Sequence, residues 1–353
     1  LKDVMRKIPG VLVTNNGISI AGNRGVRILI NGKSTDYMDI QTLLRDLPAD
    51  NISNIEVIEQ PGAEYEASGS GALINIILKK NIRLGTHGSI NTWAGEDQGF
   101  EYGTGASIAK YKNKLSWQAR VNHSKPTWRE DLFLVRTVGN ETYDQISKDP
   151  YDPNNLSING NIDFHLNDKH TLSIGSRLNQ RTSDRTTSSK TIISDARTTN
   201  TLFSENSFAR NRIDFNLNPY YVYKSETDRL VIDFNYIDYI NDNTNTLYEV
   251  EGSTIPFTDR KYIQEGKYNI KTYKIDYKKT YSENFDISFG TRYADVNTDN
   301  DLQSYLDNNQ GVFEFLETES SQFLIEETIF AGYSKINATS GKWTFSGGLR
   351  YED

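Results

Sequence analysis

Cysteine is absent from this sequence of 353 residues. Its absence excludes a disulfide framework, thiolate catalysis and cysteine-based zinc or iron–sulfur sites within these residues. No apolar run approaches 18 residues, so the sequence offers no candidate transmembrane helix. The net charge is −8, and no basic tail or stripe is present, so nucleic acid is not expected as a partner.

Aromatic residues are numerous for so hydrophilic a sequence. There are 21 tyrosines and 15 phenylalanines beside abundant Asn, Thr, Ser and Asp. Low hydropathy alone is typical of disordered chains, but this aromatic content argues against disorder. A barrel wall with one apolar face and one wet face has this mixed composition.

The first 83 residues have the pattern of a compact α/β unit. Helical spacing at 1–8 ends at Pro9-Gly10, and apolar positions at 39–47 predict a second helix that ends before Pro48. Short strands are predicted at 18–20, 26–30, 52–58 and 72–78.

After Lys80 the apolar period changes from helical to strictly alternating. Ile213, Phe215 and Leu217, for example, alternate with Asp214 and Asn216. Successive side chains on a strand point to opposite faces, so each such segment has one apolar and one polar face. The pattern predicts eleven strands: 84–94, 100–109, 114–123, 154–166, 170–179, 207–224, 229–239, 268–280, 285–298, 322–336 and 342–353.

The connections between these strands alternate in length. Short turns at 110–113, 167–169, 225–228, 281–284 and 337–341 are separated by long polar connections predicted as loops at 124–153, 180–206, 240–267 and 299–321, and only 95–99 is a short exception. This alternation is typical of outer-membrane barrels, in which tight turns face the periplasm and long loops face outward. Lipid offers no hydrogen-bond partners, so spanning strands must close into a barrel. We therefore expect a transmembrane antiparallel β-barrel.

Aromatic residues cluster as the interfacial girdles of such a barrel would. The clusters are Tyr220-Tyr221-Tyr223, Tyr236-Tyr239, Tyr273-Tyr277-Tyr281, Trp343 and Tyr351. A large soluble β-sandwich would show the same alternation, because one of its faces is core and the other is water. Strand length and the asymmetry of the connections favour the membrane protein.

Residues 1–83 resemble the plug domain of TonB-dependent outer-membrane receptors, in the variant common in Bacteroidota. Four stretches in this order carry the resemblance: LKDVMRKIPGV at 1–11; VRILINGK at 26–33; LPA at 47–49 with IEVI at 55–58; and PGAEY at 61–65 with GALINIILKK at 71–80. The resemblance implies a plug at 1–83 seated inside a barrel, of which 84–353 is the first half with about eleven strands.

The resemblance also implies a function and partners. Such receptors bind a nutrient ligand at the outer face, and the inner-membrane TonB complex powers its import through an order–disorder or displacement change in the plug. A surface lipoprotein is a further possible partner. The TonB box normally precedes the first matched stretch, so we expect it, and the rest of the barrel, to lie outside these residues.

Two departures concern the plug. The more familiar receptors have Arg where this sequence has Ala21, and Arg-Gly where it has Glu59-Gln60. Those arginines pair with barrel glutamates in that family. The corresponding lock is expected to be absent here or rebuilt from Arg24 or Arg27.

Other candidate sites have weak sequence signals. Gly69-Ser70-Gly71 lacks the Gly-Lys-Ser/Thr of a phosphate loop. The histidines, His87, His123, His165 and His170, show no metal-ligand spacing. The acid-rich stretches 149–155, 295–301 and 307–309 lack the spacing of a calcium loop and are predicted to be solvated. No catalytic, cofactor or metal residue is therefore assigned.

The ligand-binding residues stay open at this stage. Candidates on the wet face of the strands are Arg177, Asp214, Asp233, Asp276 and Arg292, and candidates among loop aromatics are Trp128, Phe133, Tyr143, Tyr151 and Phe257. Three functions are considered: import of a siderophore, glycan, peptide or cobalamin-like nutrient; a scaffold in a surface or secretion complex; and an outer-membrane enzyme. No nucleophile–base set or acid pair marks an enzyme.

Overall fold

The computed structural model describes residues 5–14, 17–20, 23–24, 26–30, 33–34, 52–58, 72–78, 85–96, 99–111, 114–250, 253–254, 258–308 and 310–353. The predicted helix at 39–47 lies outside these ranges, as do Ala21, Glu59, Gln60 and the Gly69-Ser70-Gly71 stretch. Of the predicted helix at 1–8, residues 5–8 are described and make a single turn, in which the Ile8 amide donates to the Met5 carbonyl at 3.1 Å. Among the described residues, no helix is long and apolar enough to cross a membrane.

Two small sheets occupy the N-terminal region. Strands β1 (Val11–Thr14), β2 (Gly17–Ile20) and β3 (Asn23–Arg24) form an antiparallel sheet. Strands β4 (Arg27–Ile30), β5 (Lys33–Ser34), β6 (Ile52–Ile58) and β7 (Leu73–Leu78) form a second, in the order β5-β4-β7-β6, with β4 parallel to β7.

One apolar cluster joins these two sheets. Met5, Ile28, Ile74 and Ile76 are at most 1% exposed. They pack in one core with apolar residues of both sheets: Val11, Val13, Ile18, Ile20, Val26 and Ala72. The apolar runs of β4 and β7 therefore contribute to a buried core.

A much larger antiparallel sheet follows. Its strands are β8 (Gly85–Glu96), β9 (Phe100–Tyr111), β10 (Leu115–Lys125), β11 (Trp128–Val138), β12 (Glu141–Tyr151), β13 (Asn154–Asn167), β14 (His170–Ser194), β15 (Thr199–Lys224), β16 (Asp228–Glu249), β17 (Arg260–Ser282), β18 (Phe285–Asp307), β19 (Phe313–Phe315), β20 (Ser321–Ser340) and β21 (Trp343–Glu352). Eleven of them form a continuous path from β8 to β21, and β11, β12 and β19 branch from it. Each of the eleven predicted strand segments overlaps one strand of this path.

The register of the sheet separates an apolar face from a polar face. Directly paired residues share a face, so one row across six strands shows the apolar side: Leu115, Phe164, Leu172, Tyr221, Ile232 and Ile275. The neighbouring row, on the polar side, runs Ser116, Asp163, Ser173, Tyr220, Asp233 and Lys274. Large apolar side chains stay exposed on the first face, among them Ile90 at 83% and Ile162 at 52%.

Aromatic side chains border this apolar face at two levels. One level contains Phe215, Tyr236, Tyr273 and Tyr293, with Tyr273 and Tyr293 centroids 6.0 Å apart. The other lies near the short turns and contains Tyr223, Tyr277, Tyr281, Phe285 and Trp343. The prediction that Tyr220 and Tyr239 belong to the girdles is wrong. The register pairs Tyr220 with Ser173 and Tyr239 with Asp214, which places both tyrosines on the polar face.

The four long polar connections are largely strands, so their prediction as loops is wrong. Strands β14 to β18 are 22 to 26 residues long and extend into 180–206, 240–267 and 299–321. The stretch 124–153 folds into an added hairpin, β11–β12, whose β12 pairs with the far half of β14. A span needs roughly 9–11 residues. Beyond that length both faces meet water, and apolar alternation fades although the backbone ladder continues.

The two ends of the long strands therefore differ. The tight-turn end carries the connections after β9, β13, β15, β17 and β20. The projecting end carries the far halves of β14 to β18 and the β11–β12 hairpin. Asp195 lies in the turn at the tip of β14–β15, where the amides of Arg197 and Thr198 and the Thr198 hydroxyl donate to its carboxylate and hold its pKa below the ordinary range.

Gly290 allows a close approach between β17, β18 and β20. A Cβ at this position would lie 2.5 Å from Tyr333 Cε1 and 2.6 Å from Asp276 Oδ1. Tyr333 donates to Asp276 at 2.6 Å, so moving one of these side chains away from the new methyl group strains their hydrogen bond. We expect Gly290→Ala to lower the free energy of unfolding by about 1–3 kcal/mol, measured by urea titration of detergent-solubilised protein. Gly332→Ala, which meets no atom within 4 Å, is the matched control, and equal losses in the two variants would contradict the steric account.

Asp228, at the tight turn between β15 and β16, carries a pH-sensitive contact. Thr227 Oγ1 donates to it at 2.6 Å, the Tyr277 hydroxyl also donates, and Lys279 Nζ lies 2.9 Å from both its carboxylate oxygens. These donors hold the pKa of Asp228 well below its ordinary value. A lowered folded-state pKa stabilises the fold above the unfolded value of about 3.9, and this contribution disappears as the pH falls below it.

Asp228→Asn is therefore expected to destabilise the protein at pH 7 and to flatten its acid sensitivity. The free energy of unfolding, measured by urea titration at pH 7, 5 and 3, should fall less steeply in the variant than in the wild type. Glu226→Gln, an exposed carboxylate in the same turn, is the control. Parallel pH profiles for wild type and Asp228→Asn would show that the contact contributes nothing.

Candidate ligand-binding site

Five arginines converge on the polar face toward the projecting end. Arg177, Arg181 and Arg185 are four residues apart on β14, and Arg210 and Arg212 are two apart on β15, so the period of a strand places each set on one face. The register puts Arg181 directly opposite Arg212. Like charges opposite one another are destabilising, so this arginine cluster concentrates positive potential at a cost in stability.

Carboxylates neutralise part of the arginine cluster. Arg177 Nη2 lies 3.3 Å from Asp214 Oδ1, and both side chains are largely buried. Arg212 lies 3.9 Å from the other oxygen of Asp214. Arg185 donates to Asp149 at 2.8 Å, and this contact fastens the β11–β12 hairpin to β14.

The remaining two guanidinium groups donate to neutral amides. Arg181 Nε donates to Asn155 Oδ1 at 2.8 Å, and Arg210 Nε donates to Asn243 Oδ1 at 2.7 Å. Five arginines against two contacting aspartates leave an excess of three positive charges. Hydrogen bonds to amides fix the direction of a guanidinium without cancelling its charge, so the cluster can attract an anion.

Aromatic rings alternate with these arginines. Trp128 stacks on Tyr151 with centroids 5.6 Å apart, and the Arg185 guanidinium lies 5.3 Å from the Tyr151 centroid. Arg185 and Arg210 each lie 5.0 Å from the Phe208 centroid. Rings and planar guanidiniums together offer a ligand both flat apolar surface and charge-assisted hydrogen bonds.

The structure brings only some of the predicted wet-face residues into this site. Arg177 and Asp214 belong to it. Asp233 accepts from Asn218 at 2.6 Å, closer to the tight-turn end, and Asp276 is held there by Lys274 at 2.8 Å and by Tyr333. Arg292 lies on the same face, where the register pairs it with Lys274.

The predicted loop aromatics also divide. Trp128 and Tyr151 join the site, whereas Tyr143 donates to Glu141 at 2.8 Å in the same hairpin. Phe133 is 70% exposed on the opposite face. Phe257 lies outside the described residues.

The histidines whose side chains are described, His123, His165 and His170, and the acidic stretches do not assemble into one place, and the side chain of His87 lies outside the described part. His123 contacts Asn154, His165 contacts Thr171 at 3.0 Å, and His170 contacts the Tyr221 hydroxyl at 2.6 Å. Most described residues of the acidic stretches lie in strands, and some have local partners, such as Asp295, whose carboxylate lies 3.9 Å from Lys271 Nζ. Across the described ranges, no group of three or more His, Cys, Asp or Glu side chains is arranged to hold a metal ion.

Sequence reasoning did not single out Arg181, Arg185, Phe208, Arg210 and Arg212. The first two lie in the predicted loop 180–206. The other three lie in the predicted strand 207–224, but they pair with 181–185, so the cluster was not visible. The signal was available in the sequence. Arginines at 177, 181 and 185 keep the even spacing of one strand face past residue 180. Continuing the period of two beyond the apolar segment would have found them.

Comparison with known proteins gives one family and one curated relative. Residues 221–353 match the outer membrane protein beta-barrel family. The probable TonB-dependent siderophore receptor PirA of Acinetobacter baumannii is 25% identical over 204 residues, which are 49% of this chain and 26% of the relative. The chain thus spans about a quarter of the length of that relative.

Solved structures give weaker similarities. The unliganded ferric citrate transporter FecA overlaps 99% of this chain and 60% of its own, with a TM-score of 0.45 and 12% identity. The ferric yersiniabactin uptake receptor FyuA of Yersinia pestis overlaps 99% of this chain and 65% of its own, with a TM-score of 0.44 and 10% identity. The first of these proteins is a transporter and the second is an uptake receptor.

The exposed apolar face, its two aromatic levels and the matched family agree with one another. Lipid facing the apolar side explains why large apolar residues remain exposed there. The chain forms part of the barrel of a multi-pass outer-membrane β-barrel protein. It resembles the TonB-dependent receptors.

Proposed function

We propose that the protein is a TonB-dependent outer-membrane receptor that imports a nutrient, and that this nutrient is an anionic iron chelate. The observation that carries the proposal is the arginine cluster with its interleaved aromatic rings, on the polar face toward the projecting end. A barrel that encloses its polar face would present this cluster to ligands that enter from that end.

The charge and shape of the cluster favour this ligand class. An iron chelate with carboxylate or catecholate arms carries negative oxygens for the guanidiniums and, in the second case, flat rings for the aromatic side chains. The curated relative is named a siderophore receptor, which supports the same class.

We further propose that residues 1–83 are the plug and that 84–353 are the first half of the barrel wall, with about eleven strands. Two observations support this division. The small sheets β1–β3 and β4–β7 share a core of their own. The strands from β8 onward make their hydrogen bonds within one other sheet.

Orientation and partners follow from the same proposal. The tight-turn end would face the periplasm, where a TonB-type energy-coupling complex acts on the plug, and the projecting end would face outward. The ligand would first meet the arginine cluster outside the membrane. A surface lipoprotein could cover the projecting end as a partner.

Iron uptake in a deletion strain tests this function. The strain would receive the full-length gene, and accumulation of radiolabelled iron would be compared for ferric citrate, which is anionic, and a cationic ferric chelate. We expect uptake of the anionic chelate only, abolished when a protonophore collapses the inner-membrane potential.

Two outcomes would contradict the proposal. Equal uptake of both chelates would show that the positive cluster does not select the ligand. Normal uptake in the deletion strain, together with loss of a co-purifying surface complex, would favour a scaffold.

A further inference from the structure

The lipid-facing side of the sheet carries a second apolar zone toward the projecting end. On β15 this side is apolar at Phe215 and Ile213, and it is apolar again at Phe203. A strand rises about 3.3 Å per residue, so Phe203 lies roughly 33 Å along the strand from Ile213. At a strand tilt of about 40°, Phe203 stands roughly 25 Å above the apolar band. The side chains between them on this side are small or polar: Asn211, Ala209, Ser207 and Glu205.

The second zone crosses five neighbouring strands, β11, β12, β14, β15 and β16. The register places Phe133 opposite Ile146, Ile146 opposite Lys190, and Lys190 opposite Phe203. Two residues nearer the membrane on β15, Glu205 is opposite Tyr248 of β16. The apolar members of this zone form the outer apolar patch, which consists of Phe133, Val135, Ile146, Ile192, Phe203 and Tyr248.

The side chains of the outer apolar patch are exposed at a level that lipid does not reach. Phe133 is 70% exposed, Val135 66% and Ile146 41%. Lys190 partly covers the Phe203 ring, with its Nζ 5.8 Å from the ring centroid. A contiguous apolar patch on a surface that faces water marks an interaction site. A partner is therefore expected to cover this one.

The hairpin half of the patch is held firmly against the rest of the sheet. Strand β12 continues the hydrogen-bond ladder of β14. The Ser147 and Ser189 hydroxyls lie 2.8 Å apart, and Asp149 accepts from Arg185 and from Thr187, each at 2.8 Å. These contacts are on the polar face. The outer apolar patch is thus fixed in place while its own side chains remain available for contact.

The position of the patch limits what can cover it. It lies on the same side of the sheet as the apolar band, so it faces sideways along the plane of the membrane, and the arginine cluster lies on the other side. A ligand that enters the barrel does not reach it. The covering partner must stand beside the protein and rise roughly 25 Å above the apolar band.

A second copy of this chain meets both conditions by symmetry. A two-fold axis along the membrane normal relates two copies in one membrane and brings the same patch to the same height in each. The charged side chains around the patch have both signs, so a self-contact can pair opposite charges. They are Lys148, Lys190, Asp131, Asp144 and Glu205.

We propose that the outer apolar patch joins two copies of this protein side by side in the outer membrane. The two polar faces then remain apart, and each arginine cluster stays open to its own barrel interior. Dimerisation neither requires nor blocks ligand binding at that cluster. Its test is therefore independent of the proposed import function.

The mass of the full-length protein, extracted from membranes in polymer-bounded lipid discs, tests the proposal. We expect the wild type to have the mass of a dimer. Phe133→Asp with Ile146→Asp should give a monomer, because the new carboxylates would be buried without partners in the contact. Leu324→Asp is the matched control, since Leu324 is 66% exposed on the same side of the sheet in β20, and it should stay dimeric.

Cross-linking gives a second readout without a charged substitution. Ile192 lies on β14, the central strand of the five, so it would be close to the two-fold axis. In full-length protein otherwise free of cysteine, a short bis-maleimide should join two copies through Ile192→Cys in intact cells, and Leu324→Cys should give no such product.

Three results would overturn the proposal. They are a monomeric wild type, a dimer that persists in the double variant, and a different protein that is extracted with the wild type and lost from the double variant. None of them would bear on the arginine cluster, because the double variant should bind an anionic chelate as the wild type does.

Discussion

Replacing Arg185 and Arg210 together by glutamine is expected to weaken binding of an anionic ferric chelate by about two orders of magnitude. Each guanidinium lies 5.0 Å from the Phe208 centroid, and Arg210 donates to the neutral amide of Asn243. A charge-assisted hydrogen bond contributes about 1.5–3 kcal/mol, so loss of two corresponds to roughly 100-fold or more. Glutamine keeps a hydrogen-bond donor and much of the aliphatic part of the side chain, so the substitution mainly removes the positive charge.

The measurement is the dissociation constant of ferric citrate for purified full-length protein. Arg129→Gln is the matched control, because Arg129 belongs to the same β11–β12 hairpin but faces the other way and is paired with Asp152. We expect the control to bind as the wild type does. If the double variant binds with wild-type affinity while remaining folded, the arginine cluster is not the ligand site.

Ile162→Arg is expected to prevent or strongly weaken insertion into the membrane. Ile162 lies in the middle of the apolar row of β13, between Ile158 and Phe164, and is 52% exposed. An arginine on the lipid face near the bilayer midplane costs about 2–4 kcal/mol. The measurement is the free energy of folding into lipid vesicles, from urea titration of the full-length protein.

Asn161→Arg is the control, one residue away on the opposite face. Asn161 already donates to Asp163 at 2.8 Å, so an arginine there gains a carboxylate partner. We expect the control to change folding by less than about 1 kcal/mol. Equal costs at 161 and 162 would mean that the two faces meet similar surroundings.

The positions of the strands could be predicted from sequence, but their ends could not. Alternation is visible only where one face meets lipid and the other meets water, as in Ile213 to Leu217. Past that zone both faces are wet, and polar residues such as 241–246 resemble a loop although β16 continues to Glu249. The hydrogen-bond ladder that holds these segments has no compositional signature.

The candidate site was hidden for the same reason. Arg177 and Asp214 lie inside predicted strands and were found. Arg181 and Arg185 lie in the predicted loop 180–206. Arg210 lies inside the predicted strand 207–224, but its strand partner Ser183 is in that loop, so Arg210 was not recognised as part of a cluster. Contacts between strands far apart in sequence, such as Arg185 with Asp149, depend on register, and the added β11–β12 hairpin could not be placed without it. The predicted lock from Arg24 or Arg27 remains a prediction, since the structure describes only their backbone, in β3 and β4.

The most direct test of the account is lipid accessibility along β18, made simple because these 353 residues contain no cysteine. Single cysteines at positions 286 to 293 of the full-length protein in bilayers would carry a nitroxide label, with collision rates measured for oxygen, which enters lipid, and for a water-soluble nickel complex. The odd positions, which include Phe289 and Tyr293, should favour oxygen, and the even positions, which include Arg292, should favour nickel. Nickel accessibility at every position, without a period of two, would show that no face of this sheet meets hydrocarbon.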